Sequence, residues 1–299
     1  MTSTEITLAS PPRHWVTPIL WSLLIFFVPQ LLLAVPLIVG AMLLNLDQPG
    51  QIMATLISFA GPLAAVLLLN RYLYKRPMAA LGFHRQGWGK KYLAGAGIGL
   101  LLIVFTCGGA ALFGALRISF NPEVGWLIVF LMLLGFMLQG MTEEVICRGY
   151  LQNGLRVRWG IVGALIIQAV FFALLHGTNS GITVLPLVNL FLYGLLIGAL
   201  FYYTDSMWLV GGLHSAWNFL LGPVLGVEVS GIVIPGTVFK AKASGADWLS
   251  GGAFGIEGSV LTTLAMLIGL TVIYFLDQKR RSATAQLSPR EAKVNGQGA

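Results

Sequence analysis

Residues 126–148 read WLIVFLMLLGFMLQGMTEEVICR. From Trp126 to Thr142 no side chain is ionisable, which is the composition of a helix crossing lipid. The stretch then sets Glu143 beside Glu144 and adds Arg148, and apolar character resumes at Gly149-Tyr150-Leu151. A charged side chain within a span costs about 3 kcal/mol on an insertion scale and is a functional hypothesis by default.

The rest of the chain keeps the same character. Of 299 residues, 57% are hydrophobic and 10% charged, against about 25% charged in soluble domains. So few charges cannot cover a water-facing surface, and lipid becomes the solvent. Apolar windows predict eight spans, near 16–44, 52–70, 92–116, 126–147, 160–177, 183–203, 207–222 and 259–276. The first is too long for the apolar core of a signal peptide and should bend at Pro29 and Pro36. The fold class is therefore an all-α integral membrane protein. It is a bundle of about eight transmembrane helices, read as a single membrane domain over 1–299.

Charge places the spans. Arg71, Lys75, Arg76, Arg85, Lys90 and Lys91 follow the second span, Arg148, Arg156 and Arg158 follow the fourth, and Lys279, Arg280 and Arg281 follow the last. All fall on one side of an eight-span protein. The positive-inside rule then predicts a multi-pass protein of the cell (plasma) membrane with both termini cytoplasmic. The net charge of +7 is split among these short segments. That patterning suits anionic membrane lipids and speaks against a nucleic-acid partner. Residues 223–258, rich in Gly, Pro and Ser, predict an irregular or re-entrant loop. Cys107 and Cys147 lie in apolar runs and predict no disulfide framework.

Two further spans carry polar groups. The fifth ends FFALLHG, with His176, and the seventh begins LHSAWNF, with His214 and Asn218 one helical turn apart on one face. Glu144 and Arg148 are also one turn apart and can neutralise each other, while Glu143 lies about 100° further round the helix. The set supports two hydrolytic chemistries. Glu143, His176 and His214 could hold a divalent metal such as zinc that polarises a water. Or Glu143 could itself be the base for water, assisted by His176, with no cofactor and with His214 and Asn218 donating to the oxyanion. A proton-coupled carrier also uses buried Glu and His, but paired repeats are absent and the polar residues crowd into one half. A non-catalytic immunity or scaffold protein is the third alternative.

The segments Glu143-Glu144-x-x-x-Arg148, Phe172-x-x-x-His176 and His214-x-x-x-Asn218 resemble the three motifs of the CAAX prenyl protease type II family. This is the wider CAAX protease and bacteriocin-processing group, also called the Abi family of intramembrane peptidases. The resemblance covers a core of about 125–222. It implies an eight-helix bundle with an active-site cavity inside the membrane. It implies endopeptidase chemistry on a peptide or protein substrate, with or without a lipid, in CAAX-type C-terminal processing or related peptide maturation. Glu143, His176, His214 and Asn218 take the catalytic roles, with Glu144, Arg148 and Phe172 supporting. One feature resists straight helices: His176 lies towards the outer end of its span and Glu143 towards the inner end. The two meet only if the fourth helix continues inward past Arg148, to about Arg156, or if the span boundaries are shifted.

Overall fold

Fifty residues of uninterrupted helix would reach about 75 Å, more than twice the hydrocarbon thickness of a bilayer. The computed structural model describes residues 16–295, with side chains to residue 283, and holds such a run from Trp126 to Leu175. It is folded in two at Gly160 (φ 63°, ψ −178°), a conformation that glycine adopts without a Cβ clash. The two arms return on each other. Arg148 stacks over Phe172 at 4.9 Å, and Gln152 and Gln168 crowd together against Gly198. Both pairs are centred on residue 160, so the same register sets His176 level with Glu144.

Eight helices form the bundle among the described residues: α1 Thr17–Leu43, α2 Gln48–Leu73, α3 Trp88–Leu112, α4 Trp126–Glu144, α5 Asn153–Leu175, α6 Val184–Thr204, α7 Met207–Phe219 and α8 Val260–Asn295. A π-helical stretch, Val145–Gln152, joins α4 to α5. The predicted spans four and five are thus one helical run, and the fourth continues past Arg148 to the turn at Gly160. Six of the runs are long and apolar enough to cross a membrane, which with the nearly all-helical content makes this an all-α membrane protein. α7 departs from expectation. Its 13 residues rise about 20 Å, short of a full crossing. It is instead enclosed by α3 and α4, with nine of its residues buried.

Small residues allow this enclosure. A Cβ on Gly95 would strike the carbonyl of Leu209, one on Gly212 that of Tyr92, and one on Gly99 would lie 2.8 Å from Leu213 O. Backbone against backbone is how helices pack where no hydrophobic drive separates protein from lipid. Gly140 likewise lies against Ser215, which brings α7 onto α4 one turn from Glu144. Proline lies inside α1 at both predicted positions, and Cys107 and Cys147 are free and buried.

One end of the bundle is basic. There Arg156 stacks over Tyr202, Arg280 donates to Tyr203 O at 2.9 Å, and His84 pairs with Asp205 at 2.9 Å. The opposite end carries the loops. A two-stranded antiparallel ribbon, β1 Leu116–Phe120 with β2 Phe239–Ala243, is joined there by the irregular segment before α8.

Candidate active site

The two adjacent glutamates have different surroundings. Glu144 is fully buried, and its Oε1 accepts from Arg148 Nη1 at 3.1 Å and from His214 Nδ1 at 2.7 Å. Arg148 is also fully buried; its Nη2 donates to Gly194 O at 3.3 Å, and its plane lies on Phe172. The expected Glu144–Arg148 pair is present, and a histidine the sequence did not assign to it completes the cluster. Glu143 lines a cavity of about 310 Å³. Its Oε1 accepts from Gln139 Nε2 at 2.6 Å, while Oε2 has no hydrogen-bond partner among the described residues and lies 3.8 Å from His214 Nε2.

The histidines are oriented by what holds their Nδ1 atoms. His176 Nδ1 lies 3.0 Å from the carbonyl oxygen of Phe172. A carbonyl only accepts, so Nδ1 carries the proton, and the neutral ring offers a bare Nε2. His214 donates from Nδ1 to Glu144. Phe172 holds both rings from the side, at centroid distances of 4.8 Å to His176 and 6.1 Å to His214. Asn218, one turn beyond His214, donates from Nδ2 to Gln139 Oε1 at 2.9 Å. His214 lies seven residues from the start of α7, roughly 10 Å in from the basic end by helical rise.

The structure therefore brings Glu143, His176, His214 and Asn218 to one cavity that Phe172 also lines, with Glu144 and Arg148 packed behind them. It also adds residues the sequence reading missed. Gln139 bridges Asn218 to Glu143. It sits one turn before Glu143, so the same helix-face argument that linked Glu144 to Arg148 would have found it. Tyr193 fills the space between Phe172 (5.6 Å), His214 (5.5 Å) and Trp217 (6.3 Å). Glu257 lines the same cavity, and its Oε1 accepts from Trp217 Nε1 at 2.9 Å. No local pattern marks Glu257, which arrives from an irregular loop forty residues after Trp217.

The alternative ligand set for a divalent ion, Glu143, His176 and His214, lines this same cavity. Among the described residues no three His, Cys, Asp or Glu side chains group as a metal's ligands.

No curated protein and no solved structure matches the chain. Residues 124–220, about a third of the chain, match the family model described as type II CAAX prenyl endopeptidase Rce1-like. The family that the sequence motifs resemble is thus the one that matches, over the stretch that holds every site residue from Gln139 to Asn218: this chain carries an Rce1-like segment.

Proposed function

We propose that the protein is an intramembrane endopeptidase that hydrolyses a peptide bond with a water activated by Glu143. The observation that carries this reading is the contrast between the glutamates. Both keep an unbonded Oε2, but Glu144 is bound by Arg148 and His214 away from the cavity, whereas Glu143 lines the cavity and accepts only from Gln139. A carboxylate at the cavity wall, held through Oε1 by Gln139 and with Oε2 unbonded, suits a general base.

In this reading a water bound between Glu143 Oε2 and His176 Nε2 gives its proton to Glu143 as it attacks the scissile carbonyl. The tetrahedral oxyanion is received by His214 and Asn218. For His214 this role requires a proton on Nε2 besides the one that Nδ1 gives to Glu144, and the carboxylates of Glu143 and Glu144 stand 3.8 Å and 2.7 Å from its two ring nitrogens. Asn218 Nδ2 has a second N–H beyond the one given to Gln139. Two such donors in a dry site are what acyl-transfer catalysis uses to stabilise the intermediate. The proton on Glu143 then passes to the leaving amine. The substrate is a peptide or protein chain reached within the membrane.

The test expresses wild type and Glu143→Ala at equal levels in matched membranes and maps newly formed peptide C-termini by mass spectrometry. Termini seen only with wild type support the peptidase. Identical termini from both proteins, together with an uncut CAAX peptide, refute it and return the carrier and scaffold readings.

A further inference from the structure

The cavity is closed on one side of the catalytic groups and continues on the other. α4 starts at the loop end with Trp126, and α7 starts at the basic end with Met207. On α4 the lining residues are Phe136, Gln139 and Glu143, and on α7 they are His214, Trp217 and Asn218. Among the described residues none follows Glu143 on α4 and none precedes His214 on α7. On both helices, therefore, the lining stops at the catalytic residue towards the basic end. Beyond it Val145, Ile146, Met207, Val210 and Leu213 are fully buried. The Met207 amide donates to Gly82 O at 3.0 Å, and a Cβ on Gly149 would meet Met207 Cε at 3.1 Å and Leu81 O at 3.3 Å. Apolar packing this close leaves no passage for water or a chain. Towards the loop end the cavity runs on to Asn179 after α5, to Ser230 and Ile232 after α7, and to Thr262 at the start of α8. Ile232 is 52% exposed, so the cavity reaches the surface there.

Charge relates the two ends to the two sides of a membrane. The basic end holds Arg71, Lys75, Arg76 and Arg85 after α2, Arg156 and Arg158 at the α4–α5 turn, and Arg280 and Arg281 on α8. At the loop end the Lys and Arg among the described residues are Arg117, Lys240 and Lys242. The positive-inside rule turns the richer end to the cytoplasm. We propose that the cavity opens away from the cytoplasm and that the peptidase takes its substrate from that side, as an extended stretch of extracytoplasmic polypeptide. The inference rests on the peptidase reading and names its substrate class by the side of the membrane. A chain presented from the cytoplasm meets the apolar plug around Met207 before it reaches Glu143. A chain entering past Ile232 and Asn179 follows the lining to Asn218, His214 and Glu143. The cavity of about 310 Å³ holds an extended strand and not a folded domain.

The test has two arms, both on the full chain expressed in bacterial cells. In the first, Ile232→Cys at the mouth, Leu190→Cys inside the cavity and Arg85→Cys at the basic end are treated with a small membrane-impermeant methanethiosulfonate, in spheroplasts and in inside-out vesicles. Wild type, whose Cys107 and Cys147 are buried, is the blank. In the second, peptide C-termini formed with wild type and absent with Glu143→Ala are mapped by mass spectrometry and assigned to a side of the membrane. The expected result is labelling of Ile232→Cys and Leu190→Cys in spheroplasts, labelling of Arg85→Cys in inside-out vesicles alone, and Glu143-dependent termini within extracytoplasmic segments. Ile232→Cys or a folded Leu190→Cys that stays unlabelled in spheroplasts overturns the inference and leaves the peptidase standing. Glu143-dependent termini within cytoplasmic segments do the same. An absence of Glu143-dependent termini overturns the peptidase reading and this inference with it. Ile232 lies in an exposed loop and the termini are mapped on wild type, so a Leu190→Cys protein that fails to fold does not spare the proposal.

Discussion

α1 and α6 are both apolar helices of membrane length, yet 11% of the most hydrophobic stretch of α1 is buried against 56% of that of α6. α1 shows lipid a face of large side chains, Leu32 among them at 71% exposure. α6 hides Asn189, Tyr193, Gly194 and Gly198 inside the bundle. The carbonyls of Gly194 and Gly198 receive Arg148, Gln152 and Gln168. The difference teaches that hydropathy alone does not rank helices by role in lipid. A helix facing lipid needs only to be apolar. A helix facing the interior must supply small residues for close approach and carbonyls for buried donors.

Changes to the interior should therefore be costly and changes to the outer face cheap. Arg148→Met leaves Glu144 buried with His214 alone, and a loss of about 3–5 kcal/mol is expected by reversible denaturation in bicelles. A loss below 1 kcal/mol would mean that the cluster adds nothing to the interior. Gln139→Leu removes the group that joins Asn218 to Glu143. It should lower kcat by roughly 10–100-fold, as misplaced catalytic groups do, with little change in KM. An unchanged kcat would show that Glu143 needs no such support. Gly160→Ala must hold a Cβ at φ 63°, ψ −178°, a region nearly confined to glycine, so a cost of about 1–3 kcal/mol in melting experiments is expected. The space around that residue is open, which leaves backbone strain as the cause. Leu32→Val on the lipid face should stay within about 0.5 kcal/mol; a larger effect would show that α1 has a protein neighbour there.

The same contrast explains what the sequence revealed. Membrane crossing was legible because roughly twenty apolar residues in a row have few other uses. Glu143, His176, His214 and Asn218 were legible as a set because polar groups within spans are rare. The fold between them was harder. His176 looked displaced from Glu143 until α5 proved to double back at Gly160, one glycine among 37. Its positive φ leaves no mark on the sequence around it. The pairing of His214 with Glu144 joins residues seventy apart, and Glu257 reaches the cavity from a loop without periodicity. Such contacts are decided by tertiary packing. Gln139 differs, since its place one turn before Glu143 made it readable.

The separation of the two glutamates is the claim on which the rest depends, and one paired measurement addresses it. Glu143→Gln and Glu144→Gln are reconstituted alongside wild type, and each sample is assayed for peptide cleavage and for thermal unfolding. The account predicts that Glu143→Gln melts like wild type and loses about 10³-fold in kcat, while Glu144→Gln melts lower because Arg148 loses its buried partner. If Glu143→Gln cleaves normally and Glu144→Gln is inactive at full stability, the roles are reversed and the account is wrong.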